Sequence, residues 1–345
     1  MKVNRITSVL ALTLFVAPLA YGQVDPGFQD PDVEKSSQTN FKFLSLAVEP
    51  RVAGMGDAGT AHNTGSSVAL FYNPAAMAYM TGMVHASVMQ TQWIADINYN
   101  AASIAFRPKD GAYGIFGLSV MAIDYGDLIG TIHANNERGY EDTGNFSPTA
   151  LAVGLGYARA LSDRFAIGGN VKYAYQDLTT SFVDFDASGG LVSKDYNIGT
   201  VAFDFGVLYK TGFRSLDFAM SVRNFSRELQ YEQENFELPL TFRIGVSMDV
   251  MNLTNLNPDI HSFRIAVDAN RPRDFSEQIK VGGEYLLMNT VALRAGYSFP
   301  TDVEGLSLGV GLQQTFGTFG FAFNYAYTTF EVFDAVHRLG IQIAL

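Results

Sequence analysis

Gly54, Gly56 and Gly59 stand in the spacing G-x-G-x-x-G, the pattern that cradles a dinucleotide pyrophosphate at a helix N-terminus. That use needs a strand before it, a helix after it and an acid about twenty residues on. No Asp or Glu lies between Asp57 and Asp96 and no strand–helix–strand pattern surrounds the run, so close packing of small residues explains it better. Gly305-Leu306-Ser307-Leu308-Gly309 matches the nucleophile elbow, whose serine sits on a sharp strand-to-helix turn. Ser307 instead falls inside an alternating strand, which makes the match a coincidence. Asp184, Asp186, Ser188, Gly189 and Asp195 follow the oxygen-ligand spacing of a calcium loop. Flanking helices are missing there and the last ligand is Asp rather than Glu, so a solvated acidic loop is the default. His62, His85, His133, His261 and His337 are scattered, without an i,i+4 pair. Neither a catalytic triad nor a metal constellation emerges, and the chain reads as a non-enzyme with no cofactor.

The composition narrows the elements that carry these residues. Among 345 residues, 48% are hydrophobic and only 17% charged, with 27 Phe, 17 Tyr, 33 Gly, one Trp and no Cys. Disorder is excluded by the apolar content, and disulfides, thiolate metal sites and cysteine catalysis by the missing Cys. A net charge of −11 argues against nucleic acid, which calls for a basic face. Lys2 and Arg5 precede the apolar run Ile6 to Val16, and Ala20-Tyr21-Gly22 offers a small-x-small cleavage pattern. Residues 1–22 therefore read as a secretory signal peptide, whose removal leaves a charge of −13. Beyond it no apolar stretch reaches the roughly 18 residues of a transmembrane helix, so any membrane span must be built of strands.

Strands are abundant. Over 317–328, Phe319, Phe321, Phe323, Tyr325 and Tyr327 alternate with Gly320, Ala322, Asn324 and Ala326, and side chains alternate faces along a strand. Fourteen such segments are expected, near 83–91, 97–107, 111–124, 148–161, 164–177, 198–210, 214–224, 238–250, 260–270, 276–287, 290–299, 304–316, 317–328 and 335–345. The first three alternate too poorly to fix their facing. Connections alternate between long (125–147, 178–197, 225–237) and tight, as in an outer-membrane barrel. Turning the aromatic face to lipid sends Lys172, Asp204, Asp217, Arg223, Arg243, Asp249, Arg264, Asp268, Lys280, Glu284, Arg294 and Arg338 inward. A lipid-facing Arg or Lys would cost about 2–4 kcal/mol at the midplane, so this shared facing supports a barrel independently. Mixed signs on neighbouring strands point to cross-strand pairs, such as Arg264 or Asp268 with Lys280 or Glu284. We read this network, of which Arg243, Arg264, Asp268, Lys280, Glu284, Arg294 and Arg338 are the centre, as a rigid, salt-bridged lumen rather than a conduit. The fold class is all-β: a fourteen-stranded antiparallel transmembrane barrel over 81–345 with a partly helical plug.

Residues 23–40 read as a flexible periplasmic lead, and 41–80 as the plug, apolar without strand alternation. The plug carries Gly54, Gly56, Asp57 and Gly59, then Asn73 and Pro74, where a short helix should break.

Three stretches carry a family resemblance. Phe43-Leu44-Ser45-Leu46, Arg51 to Ala61 (RVAGMGDAGTA) and Phe71-Tyr72-Asn73-Pro74-Ala75-Ala76-Met77 resemble the N-terminal signature of the PorV/PorQ outer-membrane proteins, themselves similar to FadL-type transporters. Ile279 to Tyr285 followed by Ala292 to Tyr297 adds a strand pair typical of the group. The sequence departs from PorV by having Tyr72 and Ala76 where PorV usually has Trp and Lys around Asn-Pro-Ala. The resemblance spans the mature chain and implies fourteen strands in the outer membrane of a Gram-negative bacterium, among lipid and lipopolysaccharide. It implies an accessory role in type IX secretion, with secreted cargo or translocon subunits as partners, reached through Tyr140, Phe146, Tyr231 and Phe236 on the long loops. The FadL side of the resemblance implies instead uptake of a hydrophobic small molecule, with the N-terminal segment as gate.

Overall fold

A computed structural model describes residues 39–345 except 63–64, 186–190, 232, 255–256, 259 and 302–303. The signal peptide and most of the lead lie outside the described residues. Eighteen strands follow in order. They are β1 (Val84–Gln92), β2 (Asn98–Phe106), β3 (Ile115–Asp124), β4 (Leu128–His133), β5 (Tyr140–Phe146) and β6 (Thr149–Ala160). Next come β7 (Phe165–Phe185), β8 (Leu191–Lys210), β9 (Asp217–Phe225), β10 (Leu229–Tyr231), β11 (Glu234–Phe236) and β12 (Thr241–Asp249). The series ends with β13 (His261–Pro272), β14 (Gln278–Leu287), β15 (Val291–Phe299), β16 (Glu304–Phe316), β17 (Phe319–Phe330) and β18 (Val336–Ala344).

Fourteen of them form one closed antiparallel barrel, as the alternation predicts. β1 pairs with β18 from His85↔Ala344 to Gln92↔His337, so the barrel sheet itself closes without a free edge strand. The apolar residues face out: Val88, Phe116, Leu155, Phe205, Leu293, Leu308 and Ile341 are all exposed, while Arg243, Asp268, Lys280, Glu284 and Arg338 are buried. A water-soluble sandwich would reverse this arrangement. The first three strands, ambiguous in the sequence, bury His85, Ser87, Met89, Tyr99, Ala101, Ser103, Met121 and Ile123. Their inward residues carry no Asp, Glu, Lys or Arg and several are apolar, so polarity alone does not reveal the facing.

The long connections are more regular than loops. β4 and β5 form a hairpin within 125–147, and β10 and β11 another within 225–237. The expected loop 178–197 is largely strand, since β7 and β8 continue pairing out to Phe185↔Leu191. Its Thr, Phe, Val and Tyr content favours extension; outside the barrel both faces meet water, so the apolar alternation fades.

Residues 41–80 run through the barrel interior. They contain one α-helical turn, α1 (Pro50–Ala53), and tight turns at Lys42–Ser45, Ser67–Phe71 and Pro74–Tyr79. Pro74 opens a turn rather than breaking a helix: Asn73 Oδ1 accepts the Ala75 N–H at 3.1 Å, and proline suits a first helical position. The segment enters at the long-loop end, where Thr39 bridges Glu237. It leaves at the short-turn end, where the Val84 N–H donates to Leu345 O at 3.0 Å. Residues 39 and 40 thus stand at the opposite end from that expected for a periplasmic lead, because the chain descends through the lumen before β1 begins.

Candidate functional site: the occupied lumen

At the long-loop end the segment starts in an aromatic cluster. Phe41 and Phe43 are fully buried, with ring centroids 5.8 Å apart, and Phe236 stacks on Phe41 at 6.3 Å and on Tyr231 at 5.3 Å. Of the residues expected as external contacts, Phe236 is therefore turned onto the segment, and Tyr231 stacks on Phe236. Tyr140 and Phe146 lie on the β4–β5 hairpin, with Tyr140 44% exposed. Trp93 packs edge-on to Phe330 at 5.2 Å and beneath the Arg338 guanidinium at 5.7 Å. Lys42 is salt-bridged to Asp274.

Below this cluster the segment's own polar groups meet the lumen charges. Asp57 Oδ2 lies 2.7 Å from both Arg243 Nη2 and Lys280 Nζ. Arg51 grips Glu284 with two bonds, Nε to Oε2 at 2.8 Å and Nη2 to Oε1 at 2.6 Å, while Arg294 Nε donates to Oε2 at 2.6 Å. Asp268 accepts the Thr60 N–H at 2.9 Å, Ser298 donates to Gly56 O at 3.0 Å and Ser247 to Ala61 O at 2.9 Å. Arg338 donates to Ala47 O and to Thr328 Oγ1, each at 2.8 Å. Lys172, Asp204 and Asn224 form a second cluster, with Lys172 Nζ 2.8 Å from Asp204 Oδ1.

The pairing follows the one expected across strands only in part: Glu284 pairs with Arg294, its register neighbour on β15. Arg264 faces Glu284 and Asp268 faces Lys280 in the β13–β14 register, yet Glu284 pairs with Arg51 as well as Arg294, and Lys280 pairs with Asp57. The segment inserts its own charges between the wall residues. Arg264 Nη1 has no hydrogen-bond partner among the described residues. Neither Arg51 nor Glu49 is among the site residues expected from the sequence, although a signal is there: Glu49, Arg51 and Asp57 are the only Asp, Glu, Lys or Arg from Phe43 to Ala95, and a charge stranded in an apolar run must find a buried partner. Glu49 Oε2 accepts the Val52 N–H at 2.8 Å, and Gln342 donates to Oε1 at 3.0 Å.

Close backbone approach completes the fit. Gly56 has a φ of +63°, and a Cβ there would sit 2.5 Å from Tyr297 N. A Cβ on Gly296 would strike the backbone of Met55. Gly54 and Gly59 are likewise crowded, by Gly309 and Val52. Asn73 donates to Thr60 O at 3.0 Å and Val207 O at 3.1 Å, and Pro74 rests on Gly168. One small cavity of about 20 Å³, room for a single water, lies among Leu44, Phe71, Met121, Lys172 and Arg223. Of the calcium-spaced residues, Asp184 and Asp195 belong to β7 and β8, where Thr180 Oγ1 donates to Asp195 at 2.5 Å; Asp186 lies outside the described residues.

Solved structures share this architecture. The toluene transporter TbuX of Ralstonia pickettii superposes with a TM-score of 0.55 at 14% identity, covering 86% of this chain and 96% of that one. TodX, the Pseudomonas putida toluene transporter, gives 0.54 at 13% identity, covering 86% and 97%. A Pseudomonas aeruginosa FadL homologue gives 0.50 at 12% identity, covering 86% and 97%. The fold is that of the FadL-type barrels. No protein-family model and no curated protein matches the sequence.

Proposed function

We propose that this chain is an outer-membrane barrel of the FadL type that admits hydrophobic small molecules, with residues 41–80 as the gate that closes its lumen. The observation that carries this reading is the manner of closure. An aromatic cluster at the long-loop end leads into a lumen filled by a segment that joins the wall through side-chain contacts, its Thr39–Glu237 bridge lying at the entrance. Such a segment can shift without unpairing the barrel. The toluene transport of TodX and TbuX suggests the substrate class, apolar molecules of low polarity and modest size. The outward apolar band and the closed sheet support membrane insertion, with the long-loop end outside.

The secretion reading rests on the sequence resemblance alone. Its proposed contact surface is weakened because Phe236 is engaged with Phe41, and Tyr231 stacks on Phe236.

The test pairs two measurements. Cells lacking their own outer-membrane route for hydrophobic compounds should take up labelled toluene faster when they carry this barrel. In planar bilayers the intact protein should be silent and a variant lacking residues 41–80 should conduct. Inserted barrel without uptake above background removes the transport reading; steady conductance from intact protein removes the gate.

A further inference from the structure

The barrel wall is dented on one side. A groove of about 570 Å³ crosses its outward face over β6, β7, β8, β9 and β12, bounded by Tyr157, Ile167, Phe205, Val222 and Phe242. It exists because Gly169 faces outward with no side chain: a Cβ there would find only Asp204 O, at 3.6 Å. The neighbouring outward residues, Ile167 at 40% and Phe205 at 53% exposure, stand proud on either side.

The short-turn mouth of this groove is basic. Arg159 and Arg164 flank the β6–β7 turn, and Lys210 and Arg214 flank the β8–β9 turn, against a single exposed acid, Asp163. Arg164 reaches across from one turn to the next, since a Cβ on Gly212 would lie 2.7 Å from its Nη1. Among the described residues Arg159, Arg164 and Arg214 have no carboxylate partner. The opposite rim is different: the connections 250–260, 288–290 and 317–318 contain no Lys or Arg. Leu161 and Phe213, exposed at 57% and 62%, sit among the cations and continue the apolar band of Tyr157 and Tyr209.

We propose that this groove holds one anionic glycerophospholipid of the leaflet that surrounds the short turns. An acyl chain would lie along Gly169 between Ile167 and Phe205, and the phosphate would meet Arg164 and Arg214. Charge complementarity selects the headgroup. The unbroken apolar path from the groove to Leu161 and Phe213 favours a lipid over an acidic protein, because that surface is already the one that meets hydrocarbon. The proposal needs membrane insertion and nothing of the transport reading, so either can fail alone.

The experiment uses full-length barrel in nanodiscs of equal phosphatidylglycerol and phosphatidylethanolamine, released into the gas phase for native mass spectrometry. One retained phosphatidylglycerol per barrel is expected. Gly169→Leu fills the dent on the lipid side and should abolish retention. Arg164→Ser with Arg214→Ser should cut the preference for phosphatidylglycerol about thirtyfold, as about 1 kcal/mol of attraction per cation implies, while chain binding persists. Insertion of each variant is checked by heat-modifiable gel migration. Should Gly169→Leu fail to insert, the double arginine variant decides alone, since both side chains are exposed. Equal retention of the two lipids by wild type, or a preference unchanged by the arginine substitutions, overturns the proposal, as would retained lipopolysaccharide in place of phospholipid from native membranes.

Discussion

The two halves of the inner segment are held by different physics. Residues 49–62 face β12 to β18 and are held by charge: Arg51 on Glu284, Asp57 on Arg243 and Lys280, Thr60 on Asp268. Residues 66–80 face β1 to β8 and carry no charge at all. They are held by shape, with Leu70 over Gly117 and Gly156, Asn73 over Gly206, and Pro74 over Gly168. Polar anchoring here is limited to contacts such as Ser67 Oγ to His85 Nδ1 at 2.9 Å. A buried ion pair is little better than well-packed apolar groups when intact and very costly when half-broken, whereas a packed contact degrades gradually with volume. If the segment gates the lumen as proposed, the charged half would therefore be the latch and the packed half the fixed hinge next to β1.

The sharpest way to break this comparison is Asp57→Asn, which leaves Arg243 and Lys280 buried with half their partner. A loss of about 3–5 kcal/mol is expected, read as the urea midpoint by the fluorescence of Trp93, the only tryptophan, together with the appearance of conductance. A stable, silent Asp57→Asn barrel would show that charge does not hold the latch. Gly206→Val attacks the packed half, because a Cβ there would fall on Asn73 Oδ1. Overpacking should cost about 1–3 kcal/mol and leave the pore closed; channel openings in this variant as frequent as in Asp57→Asn would erase the distinction between the halves.

Much of this was legible in the sequence, and for identifiable reasons. From β6 onward, alternation of Phe, Tyr and Leu with Gly, Ala and charges marks each strand and its facing, and the tight turns set the count. The inward placement of Arg243, Asp268, Lys280 and Glu284 follows directly. Of their partners only Arg294 for Glu284 follows from strand register, because register identifies neighbours on the wall while Asp57 reaches Lys280 across 223 residues of chain. Gly54, Gly56 and Gly59 were read as packing residues, and their contacts with β16, β15 and Val52 are of that kind. The extension of β7 and β8 escaped notice since a hairpin in water has no apolar face to display. The groove at Gly169 was equally invisible, being a missing side chain on an otherwise ordinary lipid-facing row.

Asn73→Ala probes the packed half without overpacking it. It removes the acceptor for the Ala75 N–H and the donors to Thr60 O and Val207 O, a loss of about 2–3 kcal/mol for a cap and two neutral hydrogen bonds. The urea midpoint should fall accordingly with the pore still closed, and a drop as large as that of Asp57→Asn would place the latch at the wrong end of the segment.

The smallest effect sharpens the role of burial itself. Arg271 and Glu277 form an ion pair of 2.9 Å, close to the 2.7 Å of Arg243 and Asp57, yet its side chains are 67% and 69% exposed. Water screens both members and solvates either one left alone, so Glu277→Ala should cost less than about 1 kcal/mol and its effect should vanish in molar salt. The Asp57→Asn loss should persist in the same salt, because Arg243 and Lys280 are enclosed by the segment and the wall. Equal salt sensitivity at the two sites would mean that the lumen admits ions past the segment, and the charged latch would then be an open, hydrated surface rather than a seal.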